Sequence, residues 1–319
     1  MPNSIYQLFR ARVHELKHQA VRDLAWCCFS PPIMDELPGI AATILPFAND
    51  SLWEWIEQVD QQPDALLAEI VRTKSTRLGI YYETLWRFFY SHQPDWTLLH
   101  HNLQVERNGI TLGAFDFLCH HNDNFWHIET AVKFYLCTSD NSHDALAWDN
   151  WVGPASHDRL DLKLTHLRQH QLPLHQTPEA KTQLQLFHPN QSDWKTGLCM
   201  QGYLFSPAQE SYSPEHSCKN HGAGYWWYLR DFLRYLDDKA EIEWIILERQ
   251  RWLSPAHSSD SNELMRAEKL VEQLQMQIGE MKRPLLLAAM TTKYLIGGDE
   301  IIWQETLRGF VVPDSWPNL

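Results

Sequence analysis

Apolar residues recur at helical spacing in three stretches of the N-terminal part of the chain. These stretches are residues 4–29, about 50–60 and 64–92. Pro31 and Pro63 interrupt the pattern between them, since proline lacks the backbone N–H that a helix interior needs. The N-terminal part is therefore predicted to be helical.

The pattern then changes to runs rich in aromatic and β-branched residues. They cover residues 96–106, 110–120 and 125–138, and Asn108 and Gly109 lie between the first two. An Asn-Gly pair between two such runs is typical of a β-hairpin. We therefore expect three successive strands, the first two joined by a tight turn.

Beyond the strands, leucines at 160, 164 and 167 have helical spacing, and residues 195–207 form another strand-like run. The central order is therefore helix, three strands, helix, strand. An α/β portion is expected to follow, with helices near 225–237 and 261–280 and strands near 241–252 and 284–290.

Length and composition indicate a packed globular protein. The chain has 319 residues, of which 44% are hydrophobic, and its 15 tryptophans are expected mainly in the core. The six cysteines include no CxxC pair and favour reduced core thiols. Because the sequence shows neither an apolar signal core nor a run of about 18 apolar residues, we expect a cytoplasmic protein without membrane contact.

Charge bears on the choice of partner. The chain carries 27 Lys and Arg against 40 Asp and Glu, a net charge of −13. Nucleic acid binding usually relies on basic side chains that neutralise phosphates, so the net charge disfavours this partner without excluding a local basic groove. A protein partner is the alternative, and the sequence makes no prediction of the oligomeric state.

Three charged residues stand in the apolar β-rich runs and are the main candidates for chemistry. Asp116 lies in the second run, and Glu129 and Lys133 lie in the third. Strand residues four apart share a face, so Glu129 and Lys133 point the same way. Carboxylates on neighbouring strands can hold Mg²⁺ or Mn²⁺, and a nearby lysine can orient water for phosphodiester hydrolysis. Glu83 on the preceding helix is a further acid of this kind.

Two plainer interpretations remain open at this stage. Glu129 and Lys133 form an i,i+4 ion pair if the segment is helical, worth a few tenths of a kcal/mol at a surface. If the segment is a strand, they can instead form a surface or cross-strand pair without metal. Glu83 can likewise be a solvated or paired acid.

The element order αβββαβ, with an Asp on one strand and Glu then Lys on the next, resembles the PD-(D/E)XK nuclease superfamily of restriction and repair nucleases. The chain from about residue 77 to its end resembles a bacterial family, domain-of-unknown-function family 1853. The similarity rests on the stretches "RLGIYYETLWRFF", "LGAFDFL", "WHIETAVKFYL", "GPASHDRLDLKLTHLRQHQL" and "RGFVVPDSWP".

The resemblance implies a restriction-endonuclease-like core and assigns roles within it. Asp116 and Glu129 would be metal ligands, with Lys133 and Glu83 as catalytic residues. The superfamily pattern places an acid two residues before the lysine, a position that Ala131 occupies here. Glu129 is four residues before Lys133, or roughly 13 Å along an extended strand against about 7 Å for the usual spacing.

Weaker candidates follow in the helix that begins near residue 156. His157 and Arg159 near its start could bind an anion, and Gln171 could face the cleft, as polar residues on this helix do in related nucleases. A capped, solvated helix start is the competing interpretation. The histidine pairs at 100–101 and 120–121 point to opposite strand faces and do not favour zinc.

These observations predict a divergent metal-dependent nuclease, a hydrolase of phosphodiester bonds in nucleic acid. The alternative is a catalytically inactive nuclease-like scaffold that binds protein or nucleic acid. The expected organisation is an N-terminal helical segment at 1–62, the nuclease-like core at 63–207 and a C-terminal α/β portion at 208–319.

Overall fold

A computed structural model describes residues 2–39, 41–45, 50–294 and 301–317. These residues form a mixed α/β fold with mostly antiparallel strand pairing. The helices are α1 (Pro2–Arg12), α2 (Gln19–Phe29), α3 (Asp50–Gln61), α4 (Asp64–Thr73), α5 (Leu78–His92), α6 (Leu160–His166), α7 (Pro178–Phe187), α8 (Leu229–Asp237) and α9 (Ala267–Leu274). The strands are β1 (Thr43–Ile44), β2 (Trp96–Arg107), β3 (Ile110–His121), β4 (Asn124–Cys137), β5 (Trp151–Val152), β6 (Trp194–Pro207), β7 (Gly222–Tyr228), β8 (Glu243–Leu247), β9 (His257–Ser258), β10 (Leu285–Tyr294) and β11 (Ile301–Val312).

The chain divides into two compact units built from interleaved segments. The first unit contains residues 1–133, 161–202 and 216–221, and the second contains 134–160, 203–215 and 222–319. Strands β4 and β6 each begin in the first unit and end in the second. The three-segment division at residues 62 and 207 stays a prediction.

Two tight hairpins organise the sheet of the first unit. β2, β3 and β4 pair in antiparallel order, with two-residue turns at 108–109 and 122–123. Asn108 and Gly109 have φ values of 51° and 78°, and both residues of the second turn also have positive φ. Such turns match the right-handed twist of the flanking strands. The predicted hairpin is confirmed, and because 124–137 is a strand, the helical i,i+4 interpretation of Glu129 and Lys133 is wrong.

The long helix expected at 64–92 is two helices. Lys74 ends α4 with left-handed backbone, and α5 begins at Leu78. The intervening residues offer no apolar side chain that would continue the buried face. On α5 that face consists of large aromatic residues, among which Trp86 stacks on Tyr90 with ring centroids 5.5 Å apart.

The region expected to be a helix at 225–237 begins as a strand. Residues 222–228 form β7, which pairs in parallel with β11, and helix α8 starts only at Leu229. The aromatic residues explain the difference, because they alternate in their contacts. Trp227 packs into the core with Phe232, whereas the Trp226 indole donates to the Cys137 carbonyl. This period of two belongs to a strand.

The remaining elements of the second unit follow the sequence more closely. β8 pairs with β10 and β10 with β11, all antiparallel, and α8 and α9 pack on an apolar cluster around Trp244. β8 is shorter than the strand expected at 241–252, and the helix expected at 261–280 comprises α9 and a π-helical turn at Gln275–Glu280.

None of the helices in the described part of the chain combines the length and apolar character that crossing a bilayer requires. Five of the six cysteine thiols are free and buried, while Cys218 is free and partly exposed.

Candidate metal centre

Asp116 and Glu129 lie side by side on neighbouring strands of the first unit. The register places Phe117 of β3 opposite Ile128 of β4, so the next positions along the two strands face each other. The backbone N–H of Thr130 donates to Asp116 Oδ2 over 2.9 Å, and its hydroxyl donates to the same oxygen over 3.3 Å. The β3–β4 hairpin thus brings the two predicted acids together.

Glu129 is fully buried, and each of its carboxylate oxygens has a protein partner. His127 Nε2 lies 2.7 Å from Oε1, and Gln171 Nε2 donates to Oε2 over 2.6 Å. Gln171 ends a π-helical turn that extends α6, and its side-chain oxygen accepts a hydrogen bond of 2.9 Å from Lys163 Nζ. Lys163, Gln171, Glu129 and His127 therefore form a continuous chain of hydrogen bonds.

Burial makes both acids unusually weak. Burial, and after it the negative charge of Glu129, raise the pKa of Asp116 to about 7. The pKa of Glu129 also rises to about 7, chiefly by burial, although hydrogen bonds and the Lys163 charge oppose the change. Two neighbouring buried carboxylates repel each other when both are ionised. At neutral pH the positive charge near the pair is therefore too small to keep both carboxylates ionised.

His127 is neutral in this environment. Complete burial lowers its pKa to about 3. Since the Glu129 oxygen is an acceptor, His127 is assigned the tautomer that carries the proton on Nε2. Its Nδ1 is buried and has no hydrogen-bond partner among the described residues. His127 thus serves as a neutral donor that orients the Glu129 carboxylate.

Glu83 lies on α5 near the two acids. Its charge contributes to raising the pKa of both Asp116 and Glu129. One of its oxygens lies 2.6 Å from His101 Nε2 on β2. The structure thus brings together three of the acids that the sequence singled out, with Glu83 held by a histidine.

The predicted lysine lies further along β4. Lys133 is half-buried, four residues beyond Glu129, and its carbonyl faces Gly202 on β6. Lys163 is a cation that lowers the pKa of both Asp116 and Glu129. The positive charge that acts on the acid pair therefore includes a lysine from α6.

The two weaker candidates at the helix start belong to the second unit. His157 is exposed, and Arg159 is half-buried and forms an isolated β-bridge with Val152. Their predicted role in substrate binding stays a prediction. Gln171, by contrast, belongs to the acid cluster through its bond to Glu129.

The donor set suits a hard divalent cation. Mg²⁺ binds carboxylate oxygens and usually keeps several waters, so one or two protein carboxylates suffice. Across the described ranges, no set of three or more His, Cys, Asp or Glu side chains is arranged as a ligand cluster for a metal ion. Asp116 and Glu129 thus offer a two-carboxylate site at most, with Glu83 outside the ligand set.

The sequence did not indicate that His127, Thr130 and His101 belong to the cluster, nor that Lys163 acts on the two acids. His127 could have been found, because residues two apart on a strand share a face and Glu129 is two residues further on. The Lys163–Gln171 contact depends on the π-helical turn, for which the sequence pattern gave no signal.

The chain belongs to the family described as Domain of unknown function (DUF1853), whose model matches residues 22–312. A comparison with curated proteins found no match, and neither did one with solved structures. The family match covers β3, β4 and α6, which supply the acid cluster.

Proposed function

We propose that this protein is a divergent metal-dependent nuclease of the PD-(D/E)XK type, with Asp116 and Glu129 as the ligands of Mg²⁺ or Mn²⁺. The observation that carries the proposal is the pair of buried, mutually repelling carboxylates on adjacent strands, whose pKa values both rise to about 7. Such a pair is stabilised when a cation neutralises it. The element order α5, β2, β3, β4, α6, β6, with the short strand β5 and helix α7 inserted on either side of α6, supports the likeness to that superfamily's core.

The chemistry proposed for the centre is hydrolysis of a phosphodiester. A bound divalent cation supplies charge neutralisation at the phosphate and lowers the pKa of water. Lys133 is assigned to orient the attacking water, as the resemblance implies. Lys163 holds Gln171 against Glu129 and so fixes the carboxylate that must face the cation.

Titration calorimetry of Mn²⁺ and Mg²⁺ tests the metal site directly. Wild type is expected to bind with a saturable heat, and Asp116→Ala is expected to lose it. Asp123→Asn is a matched control, because Asp123 is an exposed acid in the β3–β4 turn. Equal heats for wild type and Asp116→Ala would refute the metal centre.

Cleavage assays test the activity. Wild type with Mn²⁺ is expected to cut single- or double-stranded DNA or RNA, and Asp116→Ala and Lys133→Ala are expected to lose at least about 100-fold in rate. Metal binding without cleavage of any of these substrates would leave the nuclease assignment without support.

A second candidate is a non-catalytic scaffold that binds protein or nucleic acid. It is favoured by the saturation of Glu129, whose two oxygens already have partners in His127 and Gln171. On this alternative the acid cluster serves the stability of the fold, and Asp116→Ala alters unfolding without any change in metal binding. The calorimetric experiment therefore separates the two candidates.

A further inference from the structure

The second unit contains a cavity that the metal centre does not use. Its volume is about 390 Å³, and it lies where β8 ends and β10 begins. Leu247, the last residue of β8, pairs with Leu286 near the start of β10, so the segments beyond these ends meet at one edge of the sheet. Pro154 and Ala155 line another part of the cavity.

Three cations from two separate segments line this cavity. Arg249 comes from the turn that follows β8, and Lys282 and Arg283 come from the turn that precedes β10. Within the described ranges, none of these three side chains forms an ion pair with a carboxylate. Glu248 is the single acid among the lining residues. This excess of positive charge is notable in a chain with a net charge of −13.

Contacts within the turn place Arg249 over Trp252. Its guanidinium lies over the indole of Trp252, 5.9 Å from the ring centroid. The indole N–H donates to the Leu247 carbonyl over 2.9 Å, and the turn is closed by a backbone bond from Arg251 to Glu248. A cation held on an aromatic face keeps its donors available for a planar or tetrahedral anion.

The size of the cavity and the chemistry of its walls limit the class of ligand that it can bind. Cavities of about 300–1,000 Å³ hold small organic molecules rather than single ions. The cations supply the contacts that a phosphate requires, while Trp252, Pro154 and Pro284 provide apolar walls for a ring. A nucleotide combines these two parts.

We propose that this cavity binds a nucleotide, with Arg249, Lys282 and Arg283 contacting its phosphate. The inference does not depend on the metal centre, because none of the lining residues belongs to the acid cluster. Free nucleotides and the phosphorylated end of a nucleic acid strand share this chemistry, and the experiment distinguishes them.

Calorimetric titration of the 319-residue chain in EDTA tests the proposal. The probes are adenosine monophosphate, inorganic phosphate and a short oligonucleotide with a 5′-phosphate. Adenosine monophosphate is expected to bind more tightly than inorganic phosphate, and Lys282→Ala/Arg283→Ala is expected to weaken its binding at least about 10-fold. Preference for the oligonucleotide over adenosine monophosphate assigns the cavity to strand ends.

Arg266→Ala/Lys269→Ala is the matched control, since it removes two exposed cations of the same unit that do not line the cavity. It is expected to bind like wild type. The proposal is overturned if wild type shows no saturable binding of either adenosine monophosphate or the oligonucleotide up to about 1 mM. The proposal is also overturned if inorganic phosphate binds as tightly as adenosine monophosphate. It is likewise overturned if both double variants weaken the binding of adenosine monophosphate equally.

Discussion

Glu129 shows how a fully buried carboxylate is tolerated in this protein. One oxygen faces a neutral histidine, and the other accepts from Gln171, which Lys163 holds in turn. Hydrogen bonds to a charged group stabilise by about 1.5–3 kcal/mol each, and loss of one partner exposes the desolvation cost of the other. The stability of the buried Glu129 carboxylate therefore depends on several residues together, including Lys163, which does not contact it directly.

Replacing Gln171 with alanine is expected to lower the free energy of unfolding by about 1–3 kcal/mol, because Glu129 Oε2 is left buried without its donor. The pKa of Glu129 is expected to rise further, since the Gln171 hydrogen bond lowers it in the wild type. Urea unfolding at neutral pH measures the effect. Gln185→Ala, an exposed glutamine on α7, is the control, and an equally small change in both variants would contradict the role of Gln171.

Stability of the metal-free protein is expected to fall as pH rises from 6.5 to 8. The folded pKa values of Asp116 and Glu129, about 7, exceed the ordinary values of 3.8 and 4.5, so the folded state binds these protons more tightly than the unfolded chain. Their contribution is present at low pH and is lost as pH rises through 7. The expected loss over this window is on the order of 1–2 kcal/mol.

His127 contributes with the opposite sign at lower pH. Its folded pKa of about 3 lies below the ordinary 6.5, so its contribution is lost as pH falls from 6.5 towards 3. The pH dependence of wild type and variant is therefore compared above pH 6.5. Asp116→Asn/Glu129→Gln is expected to show a flatter dependence in urea unfolding with EDTA, and parallel slopes would disprove the assignment.

At the residue scale, the sequence was informative about the acids and much less so about their partners. Asp116 and Glu129 stood out because charges are rare in apolar strands. Lys163 did not, because its position beside Gln171 depends on how α6 continues into a π-helical turn. A local pattern carries no information about that tertiary contact.

At the scale of secondary structure, hairpins were the most predictable elements. The turns at 108–109 and 122–123 require positive φ at both residues, and the first has the Asn-Gly pair that favours this conformation. The strand at 222–228 was missed because aromatic side chains fit both a helix face and a strand, and its parallel pairing with β11 joins segments far apart in sequence.

Gly202 of β6 lies close against the backbone of β4. Its φ is +144°, and an added Cβ would lie 1.7 Å from the carbonyl oxygen of Lys133. Gly202→Ala is therefore expected to destabilise the protein by about 3 kcal/mol or more, because both the strained backbone and the clash oppose it.

Thermal and urea unfolding measure this change, with Gly79→Ala in α5 as the control. An added Cβ at Gly79 meets nothing within 4 Å, so alanine there is expected to stabilise by about 0.5–1 kcal/mol. Similar effects of both substitutions would show that β4 and β6 do not require the close approach.

At the scale of the whole chain, the net charge of −13 is an average that does not describe the charge around any one site. The two buried acids are a local liability that the proposed cation would remove, and binding to the native state raises stability by mass action. The sequence predicted the acidic balance but not where charges of each sign collect, since that depends on the fold.

Saturating Mn²⁺ is expected to raise the melting temperature of wild type by several degrees, corresponding to about 3 kcal/mol at a 100-fold excess over Kd. Asp116→Ala should show no such rise in differential scanning calorimetry, whereas Asp123→Asn should match wild type. An equal rise in all three proteins would mean that the ion stabilises the chain elsewhere.

The interleaving of the two units limits how the protein can be divided. The chain passes between them five times, and two of these passages fall inside strands, after Lys133 in β4 and after Gly202 in β6. A gene fragment that encodes one complete unit must therefore also encode segments of the other. An exchange of either whole unit by a single crossover at each end therefore also replaces the enclosed segments of the other unit.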